Sequence, residues 1–271
     1  MINLIKIEWL KIKRYRASWW IIGITALSYP GMSLLFQRAY NHLGERKDQG
    51  AKVIKFLLGN PFSFPEVWHT LAYSSSLFVF VPAVVIIMFI TNEYTYKTNR
   101  QNIIDGWSRN QFMAAKLIDV LLVSLMISLL YIAVCFIIGI TNASETTAGK
   151  WSLFYYAGLF ALQTFSQLSI AFLIGLIVRK AFLSLGVFLF YFLVLENVMV
   201  FLASRYANDI GEFLPFEISD RLIPPPAFSR RIDVDAYQKA LEQMNPHILY
   251  TIILTTIIWL ICFRINSKRD L

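Results

Sequence analysis

The sequence predicts an all-α membrane protein with six transmembrane helices and both termini on the cytoplasmic side. Of its 271 residues, 57% are hydrophobic and 15% charged, and mean hydropathy is +0.55. A soluble domain of this size carries roughly 45–50% apolar and about 25% charged residues. The apolar excess is gathered into six blocks, each close to the roughly 20 residues that cross about 30 Å of hydrocarbon. These blocks are continuous rather than alternating. Because only helices and closed barrels satisfy their backbone in lipid, continuous runs favour helices.

In chain order, residues 1–16 place Ile2, Ile5, Trp9 and Ile12 at helical spacing with lysines between them. This is the pattern of an amphipathic helix lying in the headgroup plane. The first span covers 18–36 and contains Tyr29-Pro30-Gly31. It has the full length of a span and no small-residue cleavage site follows at Gln37–Tyr40, so it reads as a retained helix, not a secretory leader. The connection to residue 69 turns rich in Phe, Pro and Trp, which suits an outer interface. The second span covers 70–91 and holds Pro82, a candidate kink. The third and fourth, 117–140 and 153–178, flank a short outer turn.

Arg179-Lys180 alone joins the fourth span to the fifth, 181–203. A long outer loop, 204–246, carries Pro215 and Pro224-Pro225-Pro226. Its Asp233 is placed to cap a helix marked by Val234, Tyr237, Leu241 and Met244. The sixth span covers 247–263. Cys135 and Cys262 fall at opposite depths and read as two free, buried thiols. The whole chain, 1–271, reads as one transmembrane domain.

Basic residues set the orientation. Lys6, Lys11, Lys13, Arg14 and Arg16 precede the first span. Lys97, Arg100, Arg109 and Lys116 lie between the second and third, and Arg264, Lys268 and Arg269 follow the sixth. With Arg179 and Lys180 they share one side and outnumber its acids, whereas the other side is balanced. The net charge of +8 is thus explained by anionic lipid, with no nucleic-acid partner required.

The segment 92–116 is the informative exception in this apolar chain. Glu93 stands at a membrane exit, with Lys97 four residues on in the order that favours a helical ion pair. Arg100, Ile103, Ile104 and Trp107 are spaced to form one short helix. Gly106 would end it, and Ser108-Arg109 would restart the chain into the third span. Taken alone, these residues also fit an ordinary solvated connection.

Glu93, Thr98, Ile103-Ile104, Ser108-Arg109 and Ala115-Lys116 follow, in order and spacing, the connection between the second and third spans of a known family. The segment resembles that of the type-2 ABC-exporter permeases. It departs from their pattern at Lys97, where Gly usually precedes Thr, and at Gly106-Trp107, which replaces a Pro region. The resemblance implies a cytoplasmic coupling helix through which a separate ATP-binding subunit drives the permease. Glu93, Thr98, Arg100, Ile104, Trp107, Arg109 and Lys116 would then serve coupling. ATP and Mg would sit on that subunit, and no G-x-x-x-x-G-K-[ST] phosphate loop occurs here. Two such chains, identical or related, would form an exporter in the inner membrane of a prokaryote.

Inside the spans, Glu196 with Asn197 is a candidate for the translocation pathway, because a carboxylate in lipid is costly unless paired, hydrated or protonated. The bland alternative is a structural hydrogen bond to a neighbouring element. Gln163, Ser166, Gln167 and Ser169 form a polar stripe suited to helix–helix hydrogen bonds. His42, His69 and His247 do not fall into a common register, so no metal site is expected. An intramembrane enzyme would need titratable pairs at one depth, and Glu196 has none in sequence. An ATPase-independent carrier or a structural membrane subunit is the other alternative.

Overall fold

The structure, a computed structural model, describes residues 16–45, 59–104, 106–142, 149–206, 210–231 and 233–268. The expected interfacial helix over 1–16 lies outside them, apart from its last residue. The described residues are mostly helical, with no strand among them. Four helices are long and apolar enough to cross a membrane, or five when one bent pair counts as a single span.

Helix α1 (Arg16–Glu45) contains the first predicted span and runs nine residues beyond it, with Pro30 inside. It is long enough to cross a membrane. Gly23, Thr25, Ser28, Tyr29, Pro30, Gly31 and Ser33 interrupt its apolar run, and it is not among the candidate spans counted above. Helices α2 (Glu66–Ser76) and α3 (Phe80–Thr95) form the second predicted span, bent by 49° between them. Pro82 explains where the bend falls: it occupies the first turn of α3, where a missing N–H costs no intrahelical bond.

A short helix, α4 (Thr98–Ile104), follows, and then α5 (Arg109–Thr141). Helix α6 (Tyr155–Val178) ends at Arg179, whose φ of 61° reverses the chain within two residues. Helix α7 (Ala181–Phe190), a π-helical turn (Tyr191–Leu195) and α8 (Glu196–Tyr206) make one continuous candidate span over the expected fifth apolar block. A 3-10 turn (Ile210–Phe213), helix α9 (Pro215–Asp220) and a second 3-10 turn (Ala227–Arg231) lead to α10 (Val234–Lys268).

One departure from expectation is at α10. Residues 234–246 are not a separate loop helix but the first turns of the helix that carries the sixth apolar block. The apolar spacing from Val234 to Met244 runs into that of the span without a break, and Pro246 removes a single N–H. Asp233 caps this 35-residue helix by accepting from the Ala236 N–H at 3.0 Å.

Helix α6 is the axis of the bundle, packing against α2, α3, α5, α7, α9 and α10. In its most apolar stretch 61% of residues are buried, compared with 11% in the fifth span. Small residues permit the closest approach: Ala171 and Gly175 are one turn apart, both buried. Polar cross-links complete it, with Trp259 Nε1 donating to Ser169 Oγ at 2.9 Å and Tyr131 donating to the Trp68 carbonyl at 2.5 Å. His69 Nε2 meets the Pro224 carbonyl at 2.8 Å and pins the triple-proline run onto α2. Cys135 and Cys262 are both free and buried.

A β-carbon at Gly175 would stand 2.5 Å from Ile90 Cγ2, with the Ile87 backbone just behind. Gly175→Val is therefore expected to cost about 1–3 kcal/mol by overpacking, read as a lowered thermal midpoint of the purified protein in detergent. Gly158→Val, where nothing lies within 4 Å, is the control that should leave the midpoint unchanged.

Candidate functional site

The connection from α3 to α5 is built around a buried cation. Lys116, 3% exposed, donates to Glu93 Oε1 at 2.8 Å and to Asp119 Oδ2 at 3.4 Å. Glu93 is itself buried, and its carboxylate accepts a further hydrogen bond from the Thr98 hydroxyl. The Phe112 ring lies 5.5 Å from the ammonium. Opposite charges at these distances offset the desolvation that would otherwise expel the lysine. One network thus ties the end of α3, the first residue of α4 and the start of α5.

The local backbone follows from residue types. The α3 helix stops at Tyr96, and Lys97 takes a φ of 55° before α4 begins. The helical Glu93–Lys97 pair expected from sequence does not form, because that reversal turns Lys97 outward and Glu93 reaches Lys116 instead. Gly106, at a φ of 98°, ends the α4 turn as expected. Ser108 then caps α5 reciprocally with Gln111, at 3.2 and 2.9 Å.

The predicted coupling residues separate into two groups. Glu93, Thr98 and Lys116 face inward and fasten α4 in place. Arg109 is also engaged, donating to the Ser267 carbonyl at 2.7 Å and the Asn266 carbonyl at 3.4 Å. Asn266 Nδ2 returns a bond to the Arg109 carbonyl at 2.9 Å. This clasp satisfies end-of-helix carbonyls of α10 and sets a positive charge against its dipole. The second group faces outward: Arg100 is exposed, Ile104 is 82% exposed, and Trp107 is half-buried. Arg179, over the Tyr94 ring at 4.4 Å, brings the α6–α7 turn to the same end.

Sequence reasoning missed Asp119 as the second acid on Lys116. It also missed Asn266, although the i, i+3 spacing of Lys116 and Asp119 was there to be read.

At the far end, Glu196 is 4% exposed. Its Oε1 accepts from the backbone N–H groups of Phe216 and Glu217, both at 2.7 Å, and so caps α9. Asn197 is exposed and folds back on its own helix, donating to the Phe192 and Leu193 carbonyls at 3.1 Å. The α6 stripe proves to be an anchor: Gln163 and Gln167 both donate to Asp220 Oδ1 at 2.7 Å. Sequence gave no sign of Asp220, which reaches α6 only through the path of the loop. Among the described residues no group of His, Cys, Asp and Glu could hold a metal ion.

Asp220 is exposed, opening onto a cavity of about 320 Å³, although protein atoms crowd its carboxylate. That crowding pushes its carboxyl up to about 7, against the two amide donors that favour the charge and with Glu217 and Glu196 adding to the rise. Between the unfolded value of 3.8 and about 7, only the folded protein keeps the proton. Stability therefore falls as pH rises from 5 to 8. The thermal midpoint should drop over that range, and Asp220→Asn should flatten the profile.

For the inner network, Lys116→Met alone should destabilise by about 3–5 kcal/mol, because it leaves the carboxylates buried and uncompensated. Adding Glu93→Leu should recover part of the loss. A double-mutant cycle of unfolding in detergent measures the coupling.

A family description, ABC-2 family transporter protein, matches residues 4–195, which include the entire α3–α5 connection and stop one residue short of Glu196. No curated protein matches the chain. With most of its length matched, the clasped connection included, the chain belongs to the ABC-2 transporter family as a permease-type membrane subunit.

Proposed function

We propose that the chain is the permease subunit of an ATP-driven exporter in the inner membrane of a prokaryote. It works as a dimer with itself or a related permease, and a separate ATP-binding subunit supplies ATP and Mg. In this reading α1 is the first of six spans, since 30 residues at 1.5 Å each cover about 45 Å. Both termini and α4 then lie on the cytoplasmic side, where the basic residues gather.

The observation that carries the reading is the division of labour in the α3–α5 connection. A docking element must be rigidly attached and must also present apolar and charged side chains outward. The Glu93–Lys116–Asp119 network with Thr98 supplies the attachment, and Ile104 with Arg100 supplies the grip. A push on α4 then reaches α3 through Glu93, α5 through Lys116, and α10 through the Arg109–Asn266 clasp.

Ile104→Asp with Arg100→Glu, co-expressed with the ATP-binding subunit, should weaken its association roughly 30-fold, the loss of a hot-spot contact of about 2 kcal/mol. Transport-coupled ATP hydrolysis should fall with it, while the variant keeps the wild-type thermal midpoint. Unchanged hydrolysis in the reconstituted complex would overturn the assignment. Gradient-driven flux without any ATPase would favour the carrier alternative.

A further inference from the structure

Two arginines stand at the α4 end of the bundle, and they are used differently. Arg109 gives its donors to the last carbonyls of α10. Arg179 closes α6 with its backbone N–H, on the Gly175 carbonyl at 2.9 Å. Its side chain meets no carbonyl and no carboxylate among the described residues. A cation that merely ends a helix takes the final carbonyls, and this one does not. The described acids at this end, Glu93 and Asp119, are both engaged by Lys116.

The guanidinium lies instead over the Tyr94 ring, 4.4 Å from its centroid. That contact holds the cation while using none of its N–H groups. Its Nε is sealed by protein without a partner, so the two terminal nitrogens are the edge left to meet a ligand. Paired N–H groups on adjacent nitrogens match two oxygens of one phosphate. Lys180, the next residue, is exposed, and so is Lys97, whose backbone N–H meets the Tyr94 carbonyl at 3.3 Å. Both add positive charge at this corner.

A second feature says what carries the phosphate. Ile177, Phe182 and Leu183 flank Arg179 and Lys180 in the chain and are exposed, Phe182 by 92%. They belong to helices long and apolar enough to cross a membrane. The cations therefore stand where lipid-facing apolar surface stops, and a phospholipid has that same layout, phosphate beside acyl chain. We propose that this corner binds the phosphate of an anionic phospholipid, with Arg179 on its oxygens, Lys180 and Lys97 beside it, and an acyl chain along Ile177 and Phe182. A zwitterionic lipid offers the same phosphate but brings a cation that the lysines repel. An acidic peptide arriving from water would leave the apolar flank unmatched. The site rests on the chain being a membrane protein and not on the exporter reading.

The test titrates the full chain, in neutral detergent, with phosphatidylglycerol or phosphatidylcholine of identical acyl chains, and native mass spectrometry counts the lipid bound. Preferential retention of phosphatidylglycerol is expected, and inorganic phosphate, which lacks the chains, should not displace it. Arg179→Gln should lower that affinity about tenfold, as loss of a hydrogen bond to a charged group does. Arg179→Lys, which keeps the charge but not the paired donors, should fall between. Lys268→Gln removes an exposed positive charge from the same end and should change nothing. Equal retention of the two lipids, displacement by inorganic phosphate, or an Arg179→Gln effect no larger than that of Lys268→Gln would overturn the proposal. So would an Arg179→Gln variant that keeps its lipid but loses the ATP-binding subunit, since the corner would then be a protein contact. Should Arg179→Gln fail to fold, Arg179→Lys and the comparison of the two lipids on the wild-type chain decide. The lipid titration needs no ATP-binding subunit, so a negative result there leaves the coupling reading standing.

Discussion

The α4 end of the bundle depends on a single ammonium group kept out of water. Lys116 is 3% exposed, in a chain with few places to put a charge. It is stable there because Glu93 and Asp119 approach it from one helix each, α3 and α5. Remove the lysine and two carboxylates are buried side by side; remove Glu93 and Thr98 loses the acceptor that starts α4. The geometry of the short helix is therefore a consequence of charge balance beneath it, more than of its own seven residues. A helix that short has little intrinsic stability in water.

The two ends of the molecule use carboxylates in the same structural way. Glu93 fixes the start of α4, and Glu196 fixes the start of α9, each a short helix held by an acid from a long one. They differ in what is left over. At the inner end both acids on Lys116 are matched to a cation. At the far end neither Glu196 nor Asp220 meets a cation among the described residues; the α9 N–H groups hold Glu196 and the Gln163 and Gln167 amides hold Asp220.

Much of this was legible from residue patterns. The apolar blocks located the helices, Pro82 located the bend, Arg179-Lys180 located the tight turn, and Gly106 with Ser108 located the end of α4 and the start of α5. What sequence could not give was pairing across distance. Glu93 has Lys97 at a favourable local spacing, yet it chooses Lys116, 23 residues away, because the chain reverses at Lys97. The same holds for Arg109 with Asn266, and for Gln163 and Gln167 with Asp220. Local periodicity carries no information about which elements the packing of α6 brings together. The extent of α10 was misjudged for a related reason: a loop composition up to Asn245 hid a helical spacing that never breaks.

That uninterrupted helix has a mechanical meaning. At 35 residues it is about 52 Å long. Its inner end is held by Arg109, and its outer end engages Glu212 and Arg221 through Gln243. The rod has no joint except at Pro246, where one backbone bond is missing. The contacts of Arg109 and those of Glu212 and Arg221, at opposite ends of the bundle, therefore share one continuous helix.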